Sequence, residues 1–464
     1  MHSRVTIEQY DCLLYNVIDN DLKQARGRLM SGANNWYLDS FIETMGRGAL
    51  LEIQLKKFQL MLDRVLESNT FYKSKFNQAG ITSSGDIRTL DDLHKLPLTT
   101  KLELSSDQVA SPPYGTNLTF QRDEYTRIHQ TSGTTGEPLR WLDTEESWKW
   151  WARCWASVYK AAGVRPDDKI FFAFSFGPFI GFWSAYEGAH HIGAMSIPGG
   201  GMSSYQRVNA ILTHDISVLV CTPTYALHLA EVASEQEIDI LNSSVRVTIQ
   251  AGEPGASLPG TKARIEEAWG AKCYDHAGAT EVGAWGFECS AQNGLHINEG
   301  EFICEVIDPE SGAPVDEGEL VITNLGRIGM PIIRYRTGDR VKLLKEPCEC
   351  GRTFHRLEGG VIGRIDQVYT VRGINVFPSA IENIVRRHQE AGEFHVDIYR
   401  KKTLDDMEVK IEIKDADPDA LASLIADDLR NGLGIRINVI PVPYGTLPRF
   451  DLKARRFTDH REID

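Results

Sequence analysis

The chain has 464 residues with 50 basic and 64 acidic side chains, a formal charge of −14. At roughly 150 residues per domain the length corresponds to two or three domains, and a chain 42% hydrophobic and 25% charged is ordinary globular material, which excludes collagen-like, disordered and small disulfide-stapled proteins. The acidic balance excludes nonspecific nucleic-acid binding, which needs a basic surface, but leaves room for a local basic pocket for an anionic small molecule; eight cysteines are too sparse for a disulfide framework and favour a reducing compartment, the cytoplasm.

The first residues, Met-His-Ser-Arg-Val, lead into a polar, partly acidic stretch with no apolar core or small-residue cleavage site, so no secretory signal is expected. Residues 1–80 read as helical: Leu51, Leu55, Phe58, Leu62, Val65 and Leu66 recur at helical spacing with charges between them. Pro97 and Pro112-Pro113 punctuate the chain after that. From about 125 to 290, short apolar runs (Lys169–Phe174, Ala194–Pro198, Ser217–Cys221, Val245–Ala251) alternate with helix-like stretches such as Thr224–Glu235 and Leu258–Trp269. This alternation predicts a mainly parallel sheet covered on both faces. The longest apolar stretch, Ile170 to Tyr186, is 17 residues long and broken by Ser175, Gly177, Pro178, Gly181 and Ser184. It is short of the ~20 apolar residues of a membrane span and reads as strand, glycine turn and helix start.

Residues 296–345 read as a small β subdomain, with strands at Glu301–Ile307, Gly318–Asn324 and Asp339–Leu344 and turn signals Asp308-Pro309 and Ser311-Gly312. Beyond Asp366 the pattern becomes α+β: Phe394–Arg400 with Met407–Lys414 as a hairpin, Asp419–Asn431 as a helix and Ile435–Val442 as a strand. The expected fold class is α/β. A large N-terminal domain, 1–365, carries mixed sheets flanked by helices plus the β subdomain, and a small α+β C-terminal domain, 366–464, follows a boundary near Gly363–Asp366.

The sharpest local motif is Gln130-Thr131-Ser132-Gly133-Thr134-Thr135-Gly136-Glu137-Pro138. Small residues, hydroxyls and free backbone N–H groups can wrap a polyphosphate closely. No Lys-Ser or Lys-Thr follows Gly136, so it is not a Walker A loop. Further on come Tyr274-Asp275-His276-Ala277-Gly278-Ala279-Thr280-Glu281, Tyr335-Arg336-Thr337-Gly338-Asp339, and Gly363-Arg364-Ile365-Asp366 leading to Arg372–Pro378. Singly, each is an ordinary turn or linker; their order is not. Cys289-x6-His296 with Cys348-x-Cys350 offers three thiolates and an imidazole, a closed tetrahedral zinc set if they converge, although Cys-x-Cys is tighter than the usual two-residue gap. Cys12, Cys154 and Cys221 read as plain core or surface residues.

In this order the motifs resemble the ANL superfamily of adenylate-forming enzymes, and within it the phenylacetate–CoA ligase family. The resemblance runs from about residue 50 through Cys221–Ala226, Ala251-Gly252-Glu253-Pro254 and Leu447-Pro448-Arg449 to Lys453-Ala454-Arg455-Arg456. It implies two half-reactions: a carboxylate attacks the α-phosphorus of ATP to give an acyl-adenylate and pyrophosphate, and the thiol of CoA then displaces AMP. Thr131, Ser132, Gly133, Thr134, Thr135 and Gly136 match the pyrophosphate cradle. Glu281 matches the Mg²⁺ position, and Thr280 the reach to the α-phosphate. Asp339 matches the ribose acceptor and Arg364 a ribose or phosphate contact. Gly252, Glu253 and Pro254 match the adenine-side loop, with Asp275 on the amino group. Lys453 matches the lysine that neutralises charge developing during adenylation, and Asp366 the hinge about which the C-terminal domain swings. Glu137 stands where the family often has a basic residue, and an acidic group there repels pyrophosphate unless it points away.

By family position the acyl pocket is lined by Phe179, with Trp183 and Gly200 as further candidates. Aromatic walls suit an aryl or arylacetic acid and equally close down on a small hydroxy or cyclic acid. Related sequences carry similar Cys/His pairs, which implies a structural zinc. Expected partners are the acid, ATP and CoA, with no nucleic acid and no membrane, and the family makes a homodimer plausible. Two other readings stay open: an adenylate-forming amide ligase with an amino acid as acceptor, and a degenerate nucleotide-binding scaffold, against which the intact Glu281, Asp339 and Lys453 set argues.

Overall fold

The computed structural model describes residues 36–131, 138–372, 374–401, 404–450 and 454–461. In chain order, helices α1 (Ser40–Thr44), α2 (Arg47–Ser68), α3 (Thr70–Gln78) and α4 (Lys101–Ala110) precede strands β1 (Tyr125–Gln130) and β2 (Arg140–Thr144). Next come α5 (Glu145–Ala161), β3 (Lys169–Phe172), α6 (Ile180–His191), β4 (Met195–Pro198), α7 (Ser204–Thr213), β5 (Val218–Cys221), α8 (Pro223–Glu235), β6 (Val247–Gln250), α9 (Pro259–Trp269) and β7 (Lys272–Ala279). A β-rich stretch holds β8 (Gly283–Glu288), β9 (Leu295–Ile297), β10 (Phe302–Ile307), β11 (Glu317–Asn324), β12 (Tyr335–Leu344), β13 (Arg356–Leu357), β14 (Gly363–Arg364), β15 (Tyr369–Val371) and β16 (Ile374–Val376). The chain closes with α10 (Pro378–Val385), β17 (Ala391–Lys401), β18 (Leu404–Ile413), α11 (Pro418–Leu433), β19 (Asn438–Val442) and β20 (Phe457–Asp459).

The chain gathers into two compact units. One holds the described residues up to Pro198 with His276–Thr337 and Val341–Gly360; the other holds Gly199–Asp275, Gly338–Arg340 and the described residues from Val361 onward. In the first unit, β1 and β2 form an antiparallel hairpin that closes residues 131–139, with Gln130 opposite Arg140. There β3 and β4 pair in parallel, and the last residues of β7, then β8, β9, β13 and the end of β12, pair antiparallel in turn. The 17-residue apolar stretch resolves as β3, a glycine turn and the start of α6, as its interrupting residues imply. α2 buries Phe58, Met61, Leu62 and Val65 against Tyr72, Phe76, Ile303, Leu325 and Ile333, the core its helical apolar stripe demands.

In the second unit, β5 and β6 are buried on both faces and pair in parallel, with the start of β7 beside β6. α8 starts where Thr222 caps the Tyr225 N–H and proline takes the first turn. The C-terminal sheet runs in the order β19-β18-β17-β20. α10 and α11 cover an apolar cluster that includes Ile381, Phe394, Val396, Val409, Ile425 and Leu429. α11 begins on an Asp417 cap with Pro418 behind it and stops at Gly434 in the left-handed conformation. No described helix is long and apolar enough to cross a membrane.

Candidate functional site

Within the first unit the hydroxyl loop is closed by the β1–β2 hairpin: Thr131 N–H donates to Leu139 O at 3.0 Å, and Leu139 N–H donates to Thr131 Oγ1 at 3.0 Å. Ser132, Gly133, Thr134, Thr135, Gly136 and Glu137 lie outside the described residues. Just before the loop, Gln130 N–H donates to Pro178 O at 2.9 Å, so the strand feeding it touches the aromatic segment 174–183. In that segment Phe174 stacks on Phe182 at 3.6 Å between centroids, and Phe176 meets Trp183 edge-on at 4.9 Å. Trp183 anchors its indole N–H on Gly177 O at 2.9 Å while 41% of the residue stays exposed. Phe179 occupies the position before the first residue of α6 and makes no side-chain capping bond.

Thr280 and Glu281 sit in the turn between β7 and β8, where Ala279 pairs with Gly283. Gly283 has φ +135°, and a Cβ there would come within 2.7 Å of Phe302 and Trp150, so this tight hairpin requires glycine. Glu281 is buried and its Oε1 lies 3.5 Å from Lys101 Nζ. Lys101 is the first residue of α4, placed by a capping box of Thr100 and Glu103, and Thr99 docks on β12, its carbonyl accepting from Arg336 N–H at 2.9 Å.

All three carbonyls of the turn are held from one side. Arg327 Nη1 donates to Thr280 O at 2.7 Å and to Glu281 O at 3.4 Å, and Asn324 Nδ2 donates to Val282 O at 3.1 Å. The rest of the Arg327 fork is bidentate on Asp143, Nε to Oδ1 at 2.8 Å and Nη2 to Oδ2 at 2.7 Å, both side chains fully buried. Burial pushes the Asp143 carboxyl up, but the Arg327 guanidinium and His129 outweigh it and hold it below the ordinary carboxylate value. Arg327 and Asp143 were not singled out from sequence, because they are 184 residues apart and belong to no motif. The Lys101 helix did carry a signal, the Thr100-x-x-Glu103 capping pattern.

In the second unit Asp339 and Arg364 are opposite one another in the β12–β14 ladder and form an ion pair at 3.3 Å. Gly338, at φ +74°, leaves room for the guanidinium, since a Cβ there would lie 2.8 Å from Arg364 Nη2. Asp275 is buried at the end of the pairing between β6 and β7, opposite Gln250. Gly252, Glu253 and Pro254 follow β6 in a loop, and Gly200 lies in the turn before α7. The Glu253 carboxylate is bridging: Oε1 accepts from Thr224 N–H and Oε2 from Ala454 N–H, each at 2.9 Å. Arg456 Nη2 donates to Thr224 Oγ1 at 3.1 Å, and Arg449 Nε donates to Glu231 Oε2 at 3.1 Å. Lys453 lies outside the described residues, and nothing is described of the Asp366 side chain.

The four Cys/His donors converge in the first unit. The ligand atoms of Cys289, His296, Cys348 and Cys350 all lie within 4.8 Å of one another, with Cys289 Sγ to Cys348 Sγ at 3.7 Å and Cys350 Sγ to His296 Nε2 at 3.4 Å. Sulfurs ~2.3 Å and a nitrogen ~2.0 Å from one tetrahedral ion stand roughly 3.5–3.8 Å apart, so the shortest separations fit donors around one such ion. His296 Nδ1 bonds Phe354 O at 3.2 Å, which turns Nε2 toward the thiols. The Cys350 thiol is held far below its ordinary value by hydrogen bonds from Cys289 and His296. Arg352 lies beside it, with Nη1 3.6 Å from Cys350 Sγ and Nε donating to buried Glu43 at 2.7 Å, while the Tyr37 hydroxyl donates to Cys350 O.

The α+β C-terminal region is that of an AMP-binding enzyme: the AMP-binding enzyme C-terminal domain family matches residues 373–461. The chain belongs to the phenylacetate–CoA ligase family. It is 31% identical over 448 residues to the phenylacetate-coenzyme A ligase of Thermus thermophilus, covering 91% of this chain and 99% of the relative. To the Escherichia coli phenylacetate-coenzyme A ligase it is 32% identical, covering 91% and 97%. Among solved structures, 2-hydroxyisobutyryl-CoA ligase in the postadenylation state with 2-HIB-AMP superposes with a TM-score of 0.88 at 30% identity, covering 92% of this chain and 93% of that one. The same ligase with 2-HIB-AMP and CoA in the thioesterification state gives 0.71, covering 93% and 94%. The chain is therefore an acid–thiol ligase that activates a carboxylic acid as an acyl-adenylate and transfers the acyl group to CoA.

Proposed function

We propose that the acid is compact and apolar, an arylacetic acid or a short branched hydroxy acid, seated against Phe179 and Trp183. The observation that carries this is the Gln130 N–H bond to Pro178 O at 2.9 Å. It makes the aromatic segment and the strand entering the hydroxyl loop neighbours, as required when a carboxylate must meet the α-phosphate. Relatives named for phenylacetate and for 2-hydroxyisobutyrate bracket the size.

The residue roles belong to the same proposal. Thr131, Ser132, Gly133, Thr134, Thr135 and Gly136 cradle the pyrophosphate, and Thr280 reaches the α-phosphate. Glu281, with the nucleotide's own oxygens, holds Mg²⁺, which screens the mutual repulsion of carboxylate and triphosphate. Asp339 accepts from the ribose hydroxyls, Arg364 contacts ribose or phosphate, and Asp275 with the loop at Gly252 and Pro254 faces adenine. Lys453 neutralises the charge that builds as the acid oxygen approaches phosphorus, and the chain swings at Asp366, between 1–365 and 366–464, before CoA attacks. Cys289, His296, Cys348 and Cys350 hold one structural Zn²⁺; with four protein donors the site has no open position and does no chemistry. We place the enzyme in the cytoplasm.

A pyrophosphate-release assay over aryl, arylacetic, short hydroxy and cyclic acids, with and without CoA, tests the reading. Acid-dependent release with one of the proposed classes is expected, and release with none of them overturns the assignment of the acid. Lys453→Ala is expected to cut adenylate formation by at least about a hundredfold while thioester formation from supplied acyl-adenylate survives. Equal loss of both half-reactions would remove the role given to Lys453.

A further inference from the structure

We propose that Arg327 is a positioning residue for adenylation: it locks the turn bearing Thr280 and Glu281 to the hairpin that closes the phosphate loop. The inference rests on the ligase reading and deepens it. Two parts of the molecule have to meet one triphosphate, the hydroxyl loop and the carboxylate for its metal, and they come from chain segments about 150 residues apart. A single guanidinium joins them. Its Nε and Nη2 grip both oxygens of Asp143 on β2, at 2.8 and 2.7 Å, three residues past the loop-closing pair of Gln130 and Arg140. Its remaining Nη1 donates to Thr280 O at 2.7 Å and more weakly to Glu281 O at 3.4 Å.

The guanidinium cannot drift. The side chain is fully buried, with its Cζ 5.1 Å from the ring centre of Trp141 and 5.4 Å from that of Trp151. His129, on β1 of the same hairpin, places Nδ1 3.9 Å from Asp143 Oδ2, too far for a hydrogen bond, so the bidentate partner of Asp143 is Arg327. The two peptide oxygens fix the orientation of the backbone from 280 to 281 and thereby the direction in which the Thr280 hydroxyl and the Glu281 carboxylate project. A planar fork grips both oxygens of a carboxylate through two nitrogens and reaches a peptide carbonyl through the third; an ammonium, whose three donors leave one atom, cannot reproduce that spread. Arg327 touches neither substrate nor reacting atoms. It acts by holding the residues that do, the kind of support on which precise sites depend.

The test compares wild type with Arg327→Lys and Asp143→Asn. The equilibrium readout is calorimetric titration with ATP, with and without Mg²⁺, and the kinetic readouts are acid-dependent ATP–pyrophosphate exchange and thioester formation from supplied acyl-adenylate. Wild type is expected to bind ATP more tightly with Mg²⁺ than without. Arg327→Lys is expected to lose most of that gain, to need about tenfold more Mg²⁺ for half-maximal exchange and to exchange at least tenfold more slowly, while metal-free ATP affinity and thioester formation stay within about threefold. Asp143→Asn, which keeps the shape of the pair and weakens its charge, is expected to shift the same quantities the same way by less, and decides the question if Arg327→Lys does not fold. An unchanged Mg²⁺ dependence, or parallel loss of metal-free affinity and of both half-reactions, shows a merely structural role and overturns the inference. If wild type itself shows neither exchange nor a Mg²⁺ effect, the ligase reading fails and this inference falls with it.

Discussion

At the scale of single residues, the informative pairings join positions that lie far apart along the chain. Asp339 comes from the Tyr335–Asp339 motif, and its partner Arg364 from another 25 positions on, yet they are ladder neighbours with an ion pair at 3.3 Å. In the ribose role proposed for it, that arrangement would pre-orient the Asp339 carboxylate for paired hydroxyl donors. Asp339→Ala is expected to raise the KM for ATP by about an order of magnitude, a loss typical of removing hydrogen bonds to a charged acceptor, with a smaller effect on the KM for the acid; an unchanged ATP KM would count against the ribose assignment. These positions were legible through the resemblance of the ordered motifs to the adenylate-forming family, since each motif alone reads as an ordinary turn or linker. Arg327 and Asp143 were not visible in that way. A buried arginine leaves no spacing signature, and the need for a counter-charge says nothing about where along the chain it is found.

At the scale of elements, helices with intact caps and one apolar stripe were readable, and elements defined by distant partners were not. The helix expected at Asp419–Asn431 appears as α11, Pro418–Leu433, with its Asp417 cap and closing Gly434, and the expected hairpin appears as β17 and β18. By contrast α5, which buries Trp148, Trp150, Trp151 and Trp155, was not singled out from sequence. The cysteine cluster lies between these cases: the donor types were legible, but their convergence depends on β9 pairing with both β8 and β13. Arg352 ties the cluster to Glu43 and, through the Trp36 carbonyl, to the start of the described chain. Purified protein is therefore expected to carry one zinc per chain. Stripping it with a strong chelator, or Cys350→Ser, is expected to lower the melting temperature and to speed proteolytic cutting near residues 36–45, since binding of the ion to the folded state alone adds to stability. Metal-free protein with an unchanged melting temperature would remove the site.

At the scale of the whole molecule, the order of the motifs along 464 residues was enough to read one enzyme, but which segments cluster was not legible: residues 199–275 group with the residues from Val361 onward across the intervening stretch 276–360. The same burial makes overall stability depend on pH. His276 is buried against Trp155, 4.2 Å between ring centres, with Nδ1 2.8 Å from Gly286 O, and loss of hydration drops its imidazole to about 4. An unfolded histidine takes its proton near 6.5. Between those values the unfolded chain binds a proton that the fold refuses, so the stability contributed by neutral His276 is complete above about pH 6.5 and is lost as pH falls toward 4. At ~1.4 kcal/mol per unit, this one group removes roughly 2–3 kcal/mol between pH 7 and 4.5. Carboxylates held low by buried cations, Asp143 by Arg327 and Glu301 by Arg153 and Lys57, extend the loss in the same direction but act below the ordinary carboxylate range. Denaturant unfolding of wild type and His276→Gln across pH 7 to 4.5 separates the two sources. The variant starts less stable at neutral pH, because its packing on Trp155 is poorer, and the gap between the two proteins should shrink as the medium is acidified; a gap that stays constant over that range would show that His276 takes up its proton equally in both states.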